Sequence, residues 1–393
     1  MNTCTATLKP GRDKPVRLGH PWIFSGAIAA WSSAPTPGAV VDVIASGGDW
    51  LARGLASPNG NLAIRLYTRE PDTRLDAALL VGRLEQAFSA RERDVVPQEP
   101  DTDSFRLCYS EADGLSGLIV DRYRDRAVYT INTALLRPHL PALLEVATSR
   151  GWTPVVLEDA EDLAKEGAVA RASAGDSSAA IAIKESGFVY TVDVLGGQKT
   201  GFFLDQRVNR RRVAAYASGR RCLDAYCYTG GFTVHLAHGG AAAVTGLDRS
   251  EPALARAREN LALNPAASPV TFSVADVPEK LRAFSDRRER FDLIVLDPPK
   301  FVHHQGQLDK GLRAYKDINR LAMKLLTPGG VLATFSCSGW VKRDTLLTAL
   351  RWAAQDAGRE ARILETLGQP PDHPVALAFP ESDYLCGYIL SVG

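Results

Sequence analysis

The sequence predicts an α/β protein: a parallel, doubly wound sheet at the C-terminus, preceded by a small β-barrel-like module and a central α+β domain. Three observations predict it. After Gly196, strand-like runs at 221–225, 243–247, 270–275, 291–297 and 331–336 alternate with helix-length amphipathic segments, the rhythm of βαβ units. Acids stand at or near the ends of four of these runs: Asp224, Asp248, Asp276 and Asp297. The run Phe291-Asp292-Leu293-Ile294-Val295-Leu296 closes in Asp297-Pro298-Pro299-Lys300. Proline has no N–H for a strand ladder, so the strand stops there. Its carboxylate is left at the carboxyl end of the sheet, where open α/β folds bind ligands.

Residues 1–72 read as short β-strands, with 40–44 and 62–67 bounded by Pro37-Gly38, Gly47-Gly48 and the turn signal Asn59-Gly60. Residues 75–95 are helical by period, and 97–103 form a polar loop. Strands at 106–110, 117–121 and 127–131, a helix at 140–149 and further strands to 194 complete the central unit. The Ala-, Ser- and Gly-rich stretch 172–180 reads as an exposed loop. Helices are expected at 232–237, 251–263, 308–326 and 343–357, and the tail as two strands, 362–366 and 384–391, forming an antiparallel pair. The expected domains are therefore 1–72, 73–195 and 196–393.

With 393 residues the chain is long enough for two or three domains, and 45% hydrophobic with 23% charged residues is ordinary globular composition. Its apolar runs are too short to cross a bilayer, and the first residues lack a basic region followed by an apolar stretch. A cytoplasmic protein without a membrane partner is the expectation. None of the six cysteines lies in a C-x-x-C pair or at ligand spacing with the seven histidines, so neither a metal nor a disulfide is expected. A net charge of +1 neither demands nor excludes nucleic acid. Two local basic stretches stand out, Lys9 to Arg17 and Arg207-Val208-Asn209-Arg210-Arg211-Arg212; the second reads equally well as a solvated helix face.

Cys222-Leu223-Asp224-Ala225 runs into Tyr226-Cys227-Tyr228-Thr229-Gly230-Gly231-Phe232. Glycines between a strand and a helix let a ligand approach the backbone, with the helix N-terminus facing it. The pattern is neither G-x-G-x-x-G nor a P-loop. Asp248 is placed to accept the ribose hydroxyls of an adenosine ligand, and Asp276 to meet an adenine amino group. Each acid alone reads as a solvated strand end; the series does not.

These residues resemble the S-adenosylmethionine motifs of class I methyltransferases. The resemblance widens with Gly19-His20-Pro21-Trp22-Ile23-Phe24-Ser25-Gly26, Lys199-Thr200-Gly201-Phe202-Phe203-Leu204-Asp205-Gln206-Arg207 and Tyr315-Lys316-Asp317-Ile318-Asn319. Thr334-Phe335-Ser336-Cys337-Ser338-Gly339 and Asp372-His373-Pro374 extend it over essentially the whole chain. The sequence is thus similar to the bacterial large-subunit ribosomal RNA cytosine-C5 methyltransferase I family. That resemblance implies an N-terminal PUA module, a central α+β domain and a C-terminal Rossmann-like methyltransferase. It implies S-adenosylmethionine as cofactor, flanked by Asp205, Gln206 and Tyr228, with Asp224 and Gly230 beneath its methionine part, Asp248 and Asp276 on ribose and adenine, and Asp297 at the same site. The implied partner is large-subunit rRNA, free or in an assembly intermediate; whether the protein forms a homodimer stays open. Around Glu158-Asp159-Ala160-Glu161-Asp162 the chain is more acidic than the family pattern.

Carbon 5 of cytosine is a poor nucleophile until a thiolate adds at C6. Cys337, at a strand end on the rim expected to carry Asp297, is the expected nucleophile, and Asp297 the group that hydrogen-bonds the base. Phosphate contacts are expected from Arg12, Lys14, Arg17 and Lys300, with His20 and Trp22 as further candidates, although Trp22 and Phe24 read more readily as core residues. Two other readings stay open. An Asp-Pro-Pro turn also suits methylation of an exocyclic purine amine, which needs no Cys337, and an RNA-binding assembly factor with a vestigial catalytic domain needs neither.

Overall fold

The structure, a computed structural model, describes residues 3–173, 180–194 and 201–393. Most of the loop expected at 172–180, the boundary at 195/196, and Lys199 and Thr200 of the long motif lie outside the described residues. The chain forms two units: the described parts of 1–183, 192–201 and 371–382, and those of 184–191, 202–370 and 383–393. No described helix is long and apolar enough to cross a membrane.

The first unit opens with β1 (Cys4–Leu8), the single-turn α1 (Lys14–Arg17), β2 (Trp22–Phe24), β3 (Ile28–Trp31), β4 (Val40–Ile44), β5 (Trp50–Ala56) and β6 (Leu62–Thr68). They form one six-stranded sheet in the order β2-β6-β5-β4-β1-β3. Alternation selects its core, so Ala6, Leu8, Val41 and Val43 point inward. On β2 the inward residue is Ile23, 2% exposed, while Phe24 is 44% exposed and Trp22 half-buried. The expectation that Trp22 and Phe24 lie in the core is thereby overturned.

Next come α2 (Ala77–Asp94), β7 (Ser104–Tyr109), β8 (Leu118–Tyr123), β9 (Arg126–Ile131), α3 (Leu140–Thr148), β10 (Thr153–Glu158) and α4 (Ala160–Lys165). The Asp76 carboxylate caps α2 by accepting from Leu79 N, and Leu80, Leu84, Ala87 and Phe88 make its buried stripe. That stripe packs on the sheet β10-β9-β8-β7. Leu55 and Tyr67 of the N-terminal strands share this core. Segment 371–382 is stapled to the unit by Asp372, whose carboxylate accepts from Arg106 N at 3.0 Å and whose carbonyl accepts from Arg91 at 3.2 Å. The acidic run is absorbed locally: Glu158 pairs with Arg137, and Asp159 caps α4.

After β11 (Ile181–Glu185) and β12 (Phe188–Val192), which pair together, the second unit continues. Its elements are α5 (Arg207–Ala214), β13 (Arg221–Ala225), α6 (Gly231–His238), β14 (Ala243–Asp248), α7 (Glu251–Leu263), β15 (Val270–Val274), α8 (Val277–Asp286), β16 (Phe291–Leu296), α9 (Leu308–Leu325), β17 (Leu326–Ser336), α10 (Arg343–Ala357), β18 (Ala361–Gly368) and β19 (Cys386–Val392). Sheet order is β15-β14-β13-β16-β17-β19-β18. The pairs from β15 to β17 are parallel, and β19 runs antiparallel to both its neighbours. Burial on both faces explains the unbroken apolar runs. Ile294 and Leu296 join the core with α8, α9 and α10, while Leu293 and Val295 join the core with α5 and α6.

Candidate active site

Register brings the strand ends together. Ala225 pairs with Leu247 on one side and Leu296 on the other, and Leu296 pairs with Thr334. Asp297, Asp248, the turn after Ala225 and Cys337 therefore leave the sheet along one rim. Strand order reverses between β13 and β16, the kind of switch point beside which open α/β sheets bind ligands.

The turn after β13 is held in an unusual backbone. Tyr226 has φ +68°, Tyr228 φ +48° and Gly230 φ +82°, and left-handed tyrosines persist only where their surroundings enforce them. Here Cys227 N donates to Leu247 O at 2.9 Å, Tyr228 N to Asp248 Oδ2 at 3.0 Å, and Asn260 Nδ2 to Thr229 O at 2.9 Å. The second oxygen of Asp248 accepts from Ser250 N at 2.9 Å. One carboxylate thus ties the glycine turn to the end of β14.

Beneath the turn Asp224 is fully buried. Its Oδ2 accepts from Thr233 Oγ1 at 2.6 Å, and its Oδ1 has no partner among the described residues. Burial pushes its carboxyl up to about 7, against the Thr233 hydrogen bonds that hold it down. Nearby, burial and then the Arg210 charge push His235 down to about 3, which keeps it neutral. Arg210 is itself buried, paired with Glu185 at 2.6 Å and donating to Phe203 O at 2.9 Å. Arg207 is buried as well, so the run 207–212 is not a solvated basic face; only Arg211 and Arg212 reach the surface.

Asp205 and Gln206 are buried at the start of α5. Asp205 accepts from the Tyr384 hydroxyl, and Gln206 Oε1 from Asn209 at 2.6 Å. Asp276 is exposed and caps α8, accepting from Glu279 N at 3.1 Å. Cys337 is half-buried, with Sγ 3.9 Å from Pro298 O. Its neighbours are fixed, since Ser336 Oγ donates to Tyr315 Oη at 2.9 Å and Ser338 Oγ to Val302 O at 2.7 Å. Burial raises the Cys108 and Cys227 thiols well above the usual range, and Cys222 and Cys386 to about 12. Cys4 belongs to the first unit.

Among the proposed phosphate contacts, Lys300 is exposed beside the rim. Arg12 and Lys14 are exposed with no ion partner among the described residues, whereas Arg17 is held by Asp13 at 2.7 Å and Asp49 at 2.8 Å. Sequence reasoning missed Thr233, Asn260, Arg210 and Tyr384 as supports of the site. Thr233 carries a readable signal, a hydroxyl in the first turn after the glycines; the others depend on partners far away in the chain.

A sequence profile for S-adenosylmethionine-dependent methyltransferases matches residues 147–382, and one for PUA-like domains matches residues 6–69. The chain is 40% identical over 394 residues to Ribosomal RNA large subunit methyltransferase I of Tolumonas auensis, covering 98% of each. It is 39% identical to the protein of that name from Escherichia coli O127:H6, again covering 98% of each. A putative SAM-dependent methyltransferase from Streptococcus mutans shares the fold, with TM-score 0.83 and 18% identity over 98% of this chain and 99% of that one. A putative methyltransferase solved in complex with SAH matches with TM-score 0.83 and 17% identity, over the same shares of the two chains. With a sheet of this order, a glycine turn over a buried acid, and such identity along nearly the whole length, the chain belongs to the S-adenosylmethionine-dependent ribosomal RNA large subunit methyltransferase I family.

Proposed function

We propose that the chain methylates carbon 5 of a cytosine in large-subunit ribosomal RNA, with Cys337 as nucleophile and Asp297 binding the base. The observation that carries this reading is the sorting of the cysteines. Four are buried with raised thiols, and Cys337 is the accessible one on the rim that carries Asp297. On this reading residues 1–72 bind RNA, 73–195 support them, and 196–393 carry the chemistry.

The residues fit the cofactor on one direct observation: Asp224 Oδ1 is buried without a donor, and an ammonium such as that of a methionine moiety would supply one. Asp224 and Gly230 would hold that part, Asp248 the ribose and Asp276 the adenine, with Asp205, Gln206, Tyr228 and Asp297 flanking. Bound there, S-adenosylmethionine supplies an electrophilic methyl group. The chain's own residues do the rest. The Cys337 thiolate adds to C6, which makes C5 nucleophilic, and Asp297 favours protonation at N3 as negative charge develops on the ring. Once C5 carries the methyl group, loss of its proton to water expels the thiolate. The target base must leave its stack to reach the rim, so an unpaired segment is expected.

A labelled methyl-transfer assay on RNA from cells lacking this protein, read by nucleoside mass spectrometry, tests the proposal. Label in 5-methylcytidine that vanishes in Cys337→Ala, with S-adenosylhomocysteine binding retained, is the expected result. The Asp297-Pro298-Pro299 turn favours a second reading. Label in a methylated purine, indifferent to Cys337, would establish amine methylation instead.

A further inference from the structure

Within the first unit lies a cavity of about 630 Å³ that methyl transfer leaves unused. It is lined by Trp22 and Phe24 of β2, by Phe379, and by the polar side chains of Arg65, Glu111 and Asn132. Because Ile23 takes the inward position on β2, the two flanking aromatics are left to the cavity. The rings brace one another edge to face, Trp22 with Phe379 at 4.6 Å between centroids and with Phe24 at 6.3 Å.

Two polar groups of the lining, Glu111 and Asn132, leave openings of one kind. Glu111, whose side chain is 8% exposed, uses Oε1 to accept from Trp22 Nε1 at 2.9 Å, Ser116 Oγ at 2.7 Å and Arg65 Nη1 at 3.3 Å. Arg65 spends Nε and Nη2 on Glu166, at 3.2 and 3.0 Å. Glu111 Oε2 has no protein donor among the described residues. Asn132 must turn its Nδ2 to the Asp162 carboxylate, 2.8 Å away, and its buried Oδ1 has no partner among the described residues. Both openings are acceptors. The lining sets two cations, Arg65 and Lys165, against Glu111, Asp162, Glu166 and Glu381, so a phosphate is repelled from the interior.

An occupant must therefore lie on the rings, present donors at its edge, and bring no negative charge inside. Among RNA bases guanine alone sets two donors side by side, N1–H and the 2-amino group, with no acceptor between them. Adenine and cytosine place a ring-nitrogen acceptor beside the amine, and uracil flanks its N–H with carbonyls. We propose that this cavity binds an unpaired guanine of the RNA, stacked on Phe24 and meeting the perpendicular Trp22 ring at its edge, with Glu111 Oε2 accepting from N1–H and the 2-amino group. The inference rests on the RNA-substrate reading above, which favours RNA over a basic peptide as the occupant.

Fluorescence anisotropy on the full chain tests it, with short uridine-rich RNAs carrying one guanine, inosine or adenine. The wild type should prefer guanine over adenine about tenfold, with inosine, which lacks the 2-amino group, between them. Glu111→Gln keeps the oxygen that Trp22, Ser116 and Arg65 use and converts the open one to an N–H donor, so it should abolish the preference. Phe24→Ala should weaken all three RNAs alike, since stacking tolerates any base. Equal affinity of the wild type for the three RNAs overturns the proposal without needing a variant. An arginine-rich peptide that binds through Glu111 while the RNAs do not also overturns it. Guanine preference alongside Cys337-independent methylation would keep this pocket and remove the cytosine mechanism; Cys337-dependent 5-methylcytidine without base preference does the reverse.

Discussion

Asp224 has one carboxylate oxygen bonded to Thr233 and the other bare in a fully buried position. Its raised value of about 7 gives a consequence with a definite sign. A cationic group that binds against Asp224 needs the ionised carboxylate. Below about pH 7 the unliganded protein holds Asp224 protonated, and binding must first remove that proton. Affinity for S-adenosylhomocysteine should therefore fall by up to about tenfold per pH unit below 7 and level off above it. In Asp224→Asn it should be weaker and flat with pH. Calorimetric titration between about pH 5.5 and 8 checks this, using the conversion of one pKa unit to tenfold. A flat wild-type profile would remove Asp224 from the methionine end of the site. The acid itself was legible, because it stands near the end of an apolar run before glycines. Its elevated value was not, since that depends on complete burial and on a single satisfied oxygen.

Helices and strands were read from their periods, and the rim followed from acids placed after apolar runs on parallel neighbours. What periodicity could not show is how elements lock onto one another. Arg210 looked like one more arginine on a solvated face, yet it is buried because Glu185, on β11, neutralises it. The expectation for Trp22 and Phe24 fails for a related reason: in a strand of three residues, alternation alone does not say which parity faces the core. The Arg210 guanidinium packs so closely on the N-terminus of α6 that a Cβ at Gly231 would stand 2.6 Å from Nε. With that guanidinium held by Glu185 and Phe203 O, neither side can yield freely. Gly231→Ala should cost about 1–3 kcal/mol of stability and weaken cofactor binding by displacing the turn. Gly82→Ala, in the middle of α2 with nothing within 4 Å of the added Cβ, should instead stabilise by about 0.5–1 kcal/mol. Denaturant midpoints on the two variants separate the outcomes. Equal effects from both would mean that Arg210 gives way easily and does not position the turn.

At the scale of the whole molecule the chain does not divide where a linear reading would cut it. The first unit recruits residues 371–382 from far along the chain, and Asp372 there bonds Arg106 and Arg91. Removing residues 1–72 would also strip Leu55 and Tyr67 from the core they share with Leu80 and Leu84, together with the Tyr67 hydroxyl that donates to Ser116 O at 2.7 Å. Such a truncation confounds RNA binding with unfolding, so surface cations give the cleaner measurement. Arg12 and Lys14 are exposed with no ion partner among the described residues, whereas Arg17 is already neutralised by Asp13 and Asp49. If Arg12 and Lys14 each meet a phosphate of single-stranded RNA, replacing both with Ala should lower the slope of log affinity against log salt by about 1.4, at roughly 0.7 per contact. Affinity should fall most at low salt, and the melting temperature should stay at the wild-type value because neither side chain supports the core. Arg17→Ala should change the slope less, since its charge is already shared with two carboxylates. Anisotropy titrations across a salt series read the affinities and slopes, and a thermal melt reads the melting temperature. An unchanged slope in the double variant, with RNA still bound, would move the phosphate contacts away from the N-terminal module.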